Sequence, residues 1–388
     1  MLGLRPTAAG PAGVVDAPLT TLEATRAVDG VLKECLDAAV GRARDVDPVF
    51  ARDVADRVSA FVRRGGKRLR TAFVWCGWWA AGGSGDATAV LRTGAALELV
   101  QACALIHDDV MDGSLLRRGA PAMHVDLARK HWAAHMTGSA ESFGTSAAVL
   151  GGDLALAWAD DLLMETALGS AHGPQLLREW RAMRGEMVAG QYRDLLAQAI
   201  GSSDVDEALT IAKLKSALYT VERPLALGAS LSGADEYTMD ALRAAGRCAG
   251  IAFQLRDDLH GAFADPASTG KPVGDDLRSR KLTYLLAVGL KLAEAAGDKE
   301  AATVLASNTG SRSERTVGRM RAALERTGAQ DMVEAKIAEL AATSLRHFEA
   351  TGAGSAVRRE FAALVERASG APPCTATGAA CEDGDGSD

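Results

Sequence analysis

The chain has 388 residues, 48% of them hydrophobic and 24% charged, which excludes a disordered polymer and supplies enough apolar surface for a large core. It carries 43 basic and 50 acidic residues, a net charge of −7, so bulk attraction to nucleic acid or anionic membrane is excluded and any anion site must be a local basic cluster. Six cysteines are scattered without a CxxC pair, which argues against a disulfide framework or a structural zinc site.

Residues 1–18, with Pro6, Pro11 and Pro18, read as a loose leader. From there to residue 369 the pattern predicts one all-α domain of roughly ten or more helices. Leu22, Ala27, Val31, Leu32 and Leu36 begin one helical stripe, and Leu91, Ala95, Leu99, Ala102 and Ile106 form another. Between them lies Gly65-Gly66-Lys67-Arg68-Leu69-Arg70, a glycine break followed by cations, then the apolar run Ala72–Ala81. That run is too short to span a bilayer, and its tryptophans Trp75, Trp78 and Trp79 are expected in the core or at a subunit interface. Without a signal-peptide pattern, the expectation is a soluble, cytoplasmic protein with no transmembrane segment. Residues 370–388 are small, acidic and rich in Pro and Gly, and read as a disordered tail.

The chemistry concentrates in two acidic clusters. The run LELVQACALIHDDVMDG ends in Asp108, Asp109 and Asp112. Asp108 and Asp112 share a helix face, where like charges repel, and a helix C-terminus already carries negative potential. Such a cluster calls for a cation. The second cluster, Gln254-Leu255-Arg256-Asp257-Asp258, closes another apolar helix. Facing carboxylates in a helix bundle build metal sites, and an all-oxygen set favours Mg²⁺ shared with substrate phosphates. Arg117-Arg118, Lys271 and Lys281 follow the clusters and can hold phosphate oxygens. His131 and His135 are spaced four apart, but no glutamate completes a metalloprotease motif, so a helix face is the simpler reading.

Together GGKRLR, HDDVMDGSLLRRG, GQYRD, Lys215-Ser216 and FQLRDDLHG resemble the trans-isoprenyl diphosphate synthases, the polyprenyl synthetase family, and in particular its bacterial geranylgeranyl type. The resemblance implies the isoprenoid synthase fold, a bundle around a deep central cavity. It implies Asp108, Asp109, Asp112, Asp257 and Asp258 as metal residues, with about three Mg²⁺ per site when substrate is bound. Lys67, Arg70, Gln101 and Arg118 would hold isopentenyl diphosphate. Arg117, Lys215, Ser216, Gln254, Lys271 and Lys281 would hold the allylic diphosphate, with Lys215, Ser216, Gln254 and Arg117 closest to the chemistry. The implied activity is condensation of isopentenyl diphosphate with dimethylallyl, geranyl or farnesyl diphosphate to geranylgeranyl diphosphate, by a homodimer. Alternatives are a farnesyl or longer-chain synthase, a class I terpene cyclase, or a non-catalytic synthase subunit. The cyclase's second metal motif is missing from the sequence, and both the first Asp cluster and its Arg pair are intact, which disfavours the last two.

Three departures stand out. Gln101 replaces a common histidine, Lys215-Ser216 replaces Lys-Thr, and Gly261 stands where the second cluster usually ends in aspartate. Small Cys103 and Ala104 upstream of Asp108 predict a tail pocket that continues past Val100 toward Leu97, with Trp158 a candidate floor.

Overall fold

The computed structural model describes residues 17–263, 274–306 and 313–370. The expected leader (apart from its last two residues), Lys271 and the expected tail beyond residue 370 lie outside that set. Among the described residues the architecture is all-α apart from one two-residue hairpin, as the periodicity predicts.

Side-chain caps mark where several helices begin. Thr20 accepts from the Glu23 amide to start α1 (Thr21–Val46), and Asp47 caps α2 (Pro48–Phe50), which carries proline in its first turn. A π-helical stretch (Ala51–Ala55) leads into α3 (Asp56–Arg63), followed by α4 (Leu69–Ala80) and α5 (Thr88–Asp112). Strands β1 (Leu116–Arg117) and β2 (Ala120–Pro121) form the hairpin before α6 (Met123–Ala133). Helices α7 (Ala140–Leu168) and α8 (Gly173–Ile200) make a long antiparallel pair. Next come α9 (Val205–Ile211), a second π-helical stretch (Ala212–Glu222), α10 (Arg223–Leu231) and α11 (Glu236–Phe263). The C-terminal part holds α12 (Asp275–Ser279), α13 (Tyr284–Ala295), α14 (Lys299–Ala306), α15 (Glu314–Arg326), α16 (Ala329–Glu349) and α17 (Ser355–Ser369).

Helix α5 is the axis of the main core. Leu91, Leu97, Leu99, Val100 and Ile106 are all buried, against α1, α4, α7 and α10. Each such side chain contributes about 1.5–3 kcal/mol of burial free energy. Among the described residues α5 is the one helix long and apolar enough to cross a bilayer, and here it is wrapped by its neighbours. Trp75 and Trp78 are buried in the same core, and Trp79 is half-buried beside them. A second apolar cluster joins the end of α11 to α13–α16.

His131 is buried and hydrogen-bonds the Thr137 carbonyl, while His135 adopts positive φ just past the helix. The half-exposed helix face expected for this pair is therefore a turn-stabilising contact at His131.

Candidate active site

Helix α5 stops immediately after Asp112 because Gly113 takes a left-handed conformation, the usual helix C-terminal brake. The hairpin that follows turns through Arg118 and Gly119, both at positive φ. Such a turn matches strand twist but strains a non-glycine residue. It buries Arg117 and turns Arg118 onto the glycine loop, where its guanidinium donates to the Gly65 carbonyl and lies against Phe61.

Asp108 lines the mouth of a cavity of about 610 Å³. Its carboxylate accepts from Lys215 Nζ at 3.1 Å and from Arg117 Nη2 at 3.3 Å. Burial works to raise the Asp108 carboxyl, but Lys215, Lys281 and Arg117 outweigh it and hold it at about 2. Asp112 sits 2.5 Å from Lys281 Nζ. Burial and the charge of Asp108 nonetheless push the Asp112 carboxyl up. The like-charge repulsion expected from i, i+4 spacing is thus present and only partly offset.

Asp109 departs from expectation. Its side chain is almost wholly buried, is not among the cavity-lining residues, and takes Arg117 Nε at 2.8 Å. One step along α5 from Asp108 rotates the side chain to another face of the helix, away from the cavity. Asp109 reaches the site through Arg117, which it fixes.

Lys215, Ser216, Tyr219 and Thr220 all reach the cavity from the second π-helical stretch. π-Helical turns are rare and recur at functional sites. Gly190 lets α8 approach this stretch, since a Cβ there would lie 2.2 Å from the Lys215 nitrogen. Asp194, one turn on, holds Lys215 Nζ at 2.6 Å. Thus the GQ-x-x-D segment both admits and orients the lysine.

The second cluster approaches from α11. Asp257, Asp258 and Gln254 line the cavity, and Gln254 Nε2 donates to Asp258 at 2.7 Å. Complete burial and nearby Asp276 raise the Asp258 carboxyl well above its ordinary range. Gly261 leaves room for Asp276 of α12, because a Cβ there would meet Asp276 Oδ2 at 2.8 Å. Asp276 was not singled out by sequence; only its place five residues before Lys281 hinted at it. Directly before the two aspartates, Arg256 points the other way, gripping Glu334 of α16 at 2.5 Å and the Ser369 carbonyl at the end of α17.

Arg70 and Gln101 also line the cavity. Arg70 donates to Thr220 Oγ1 at 2.8 Å and lies over the Tyr219 ring, yet its Nε is buried without a partner. Gln101 Oε1 is likewise buried and unpartnered. Such orphaned groups cost free energy unless a ligand or water meets them. Lys67 is exposed and does not line the cavity, although its charge is felt at His260 beyond the second cluster. Arg118 is exposed, in the same basic neighbourhood as Arg68 and Arg70.

Below this charged mouth the walls turn apolar: Cys103, Ala104 and Leu105 of α5, Leu156 of α7, and Met187 and Leu195 of α8. Trp158, expected as a floor, is packed into the core and does not line the cavity. It projects from a different face of α7 than Leu156.

The donor set fits Mg²⁺ in a particular way. Asp108 and Asp257 offer hard oxygen ligands from the cavity lining, Asp112 stands beside them on Lys281 though not itself in the lining, and Asp257 faces no ion-pair partner among the described residues. No three Asp, Glu, His or Cys side chains among the described residues gather closely enough to cage a metal alone. Mg²⁺ suits such a site, since it takes one or two carboxylates and fills its shell with water and substrate phosphate.

An all-helical bundle with carboxylates and cations ringed above an apolar cavity defines a site for an anionic head with a hydrocarbon tail. The profile of the polyprenyl synthetase family matches residues 52–326, and the chain belongs to that family. It is 37% identical over 254 residues to the geranylgeranyl diphosphate synthase of Mycobacterium tuberculosis, a stretch covering 65% of each chain. It is 31% identical to the geranylfarnesyl diphosphate synthase of Aeropyrum pernix, over 61% of this chain and 72% of that one. The chain thus spans about two thirds of the length of these curated relatives. Its fold superimposes with a TM-score of 0.83 on a geranylgeranyl pyrophosphate synthase from Corynebacterium glutamicum, crystallised with isoprenyl diphosphate and magnesium. There the identity is 37%, with 88% of this chain and 98% of that one covered.

Proposed function

We propose that this protein is a Mg²⁺-dependent trans-prenyltransferase that adds isopentenyl diphosphate to an allylic diphosphate and releases geranylgeranyl diphosphate. The observation that carries this reading is a single cavity with Asp108, Asp257, Lys215, Lys281 and Arg117 at its rim and small Cys103 and Ala104 in its wall. Mg²⁺, when bound, neutralises the diphosphate leaving group; Asp108, Asp112 and Asp257 would hold it, with Asp258 behind them.

The chain's own residues supply the rest. Lys215, Lys281 and Arg117 present fixed positive charge where the allylic diphosphate departs. Lys271 lies outside the described residues and keeps the same role by resemblance. The Gln254 amide oxygen and Ser216 hydroxyl turn partial negative charge toward the allylic carbon. The apolar walls below exclude water from the electron-deficient chain. Arg70, whose Nε is buried and unpartnered, and the Gln101 amide N–H group would donate to isopentenyl diphosphate, with Arg118 and Lys67 beside them. The double bond attacks the allylic carbon, a new carbon–carbon bond forms, and a proton leaves to the departing diphosphate.

The working unit is a homodimer in the cytoplasm, with residues 19–369 as one domain. Val149, Leu150, Met164 and Leu168 of α7 and Val188 and Ile200 of α8 are exposed, an apolar surface that a second copy would cover.

Purified protein incubated with Mg²⁺, isopentenyl diphosphate and each allylic starter tests the reading, with products sized after dephosphorylation. A C20 alcohol as main product is expected. Absence of any condensation would overturn the assignment.

A further inference from the structure

Two contacts fix how α5 and α7 run against one another. His107 Nε2 meets the Val149 carbonyl at 3.1 Å, and Arg92 Nε meets Thr166 Oγ1 at 3.2 Å. Descending α5 from Asp108 therefore corresponds to ascending α7. Helix α8 returns beside α7, with Asp194 at the mouth and Met187 deeper.

One turn past Leu156 on α7 is Asp160, and one turn below Met187 on α8 is Arg184. These two form an ion pair across the helices, and Trp180 Nε1 donates to Asp160 at 2.7 Å. Trp180 is buried, and Arg184 Nε is shut off from solvent without a partner. Burial pushes the Cys103 thiol up to about 12, and the charges of Asp153 and Asp160 add to it. None of these three side chains lines the cavity; the pair is a polar rung tying α7 to α8 one turn beyond the lining residues Leu156 and Met187.

We propose that the Asp160–Arg184 pair, braced by Trp180, is the barrier that a growing tail meets one turn beyond the cavity lining, and that it sets product length. A hydrocarbon tail offers no hydrogen bonds. To pass this rung it must part the pair and leave charged groups facing hydrocarbon, an unfavourable exchange. The α5–α7 register places Asp160 about ten residues below Asp108, or about 15 Å at 1.5 Å per residue. One isoprene unit reaches about one helical turn, so three units fit above the barrier and a fourth does not. A farnesyl acceptor is therefore seated and extended, and the resulting C20 chain is not seated again.

This inference rests on the proposed condensation and is tested beside it. Asp160 and Arg184 side chains remain 37% and 32% exposed, so the fold should tolerate their loss. With farnesyl diphosphate and excess isopentenyl diphosphate, Arg184→Ala and Asp160→Ala should each raise the ratio of C25-and-longer to C20 product about tenfold. The double variant Asp160→Arg/Arg184→Asp, which rebuilds the pair in reverse, should restore C20. If truncation unfolds the chain, Asp160→Asn and Arg184→Met give the same readout. Unchanged C20 product from active single variants would overturn the barrier alone. A wild type that condenses nothing would overturn the proposed function and the barrier with it.

Discussion

The two acidic clusters share one local recipe, an apolar helix ending in adjacent aspartates, yet they meet different surroundings. At the end of α5 every carboxylate has a cation in contact: Asp108 has Lys215 and Arg117, Asp109 has Arg117, and Asp112 has Lys281. At the end of α11, Asp257 has no such partner among the described residues, and Asp258 has only the Gln254 amide. The first cluster is already close to neutral as a group. The second is an uncompensated negative site that a divalent cation would relieve. We read the difference as a division of labour: both ends would hold Mg²⁺, the α5 end beside built-in cations that meet the leaving diphosphate, and the α11 end with no cation of its own.

The sharpest break of that comparison comes from truncating each side. Asp108→Ala frees Lys215 and Arg117 from their shared anion and should lower kcat about a thousandfold, with helical circular dichroism unchanged. Asp257→Ala should cost about a hundredfold and raise the Mg²⁺ concentration for half-maximal rate. A reversed order of severity in steady-state assays would contradict the division.

Asp109→Asn tests whether that residue orients Arg117. Turnover should fall about tenfold while the half-saturating Mg²⁺ stays unchanged. A Mg²⁺ shift as large as that of Asp257→Ala would return Asp109 to the metal set.

Asp258→Asn bears on stability. A carboxyl raised in the folded protein binds more protons folded than unfolded, so its effect worsens as pH rises above the unfolded carboxylate pKa. Metal-free Asp258→Asn should therefore melt about 2–4 °C higher than wild type near pH 8. The gain should vanish only as pH falls below the ordinary carboxylate value of 3.8, where Asp258 is protonated in both states; scanning calorimetry near pH 8 and below that value reads this directly.

The smallest effect is expected from Gly261→Asp. Restoring the commoner residue would bring a second carboxylate against Asp276, so activity should drop about threefold rather than rise. A rise would show that Asp276 yields without cost.

Much of this was legible in the sequence, because charge in an apolar helix is a strong signal. Periodicity gave the all-α class, and the clustering of Asp108 and Asp112 gave their need for cations. What stayed hidden was rotation about each helix axis and long-range pairing. Asp109 differs from Asp108 by one step, and only the packed structure shows that this step carries it from the cavity to Arg117. Lys215 was identified by its motif, but its bond to Asp194 depends on two helices meeting at Gly190. Trp158 and Leu156 are two residues apart, and the larger side chain drew attention although the smaller one lines the cavity. Asp276 lies 15 residues along the chain from Gly261, beyond the reach of local pattern.

Arg256 carries a consequence for the ends of the polypeptide. It stands directly before Asp257, yet it is fastened to Glu334 and to the last turn of α17, whose Glu360 in turn receives the Thr21 amide and hydroxyl at the start of α1. The metal-facing end of α11 is therefore moored to both termini of the fold. Trimming the chain back through α17, far from any substrate, would release the mooring beside Asp257 and so loosen the catalytic rim from behind.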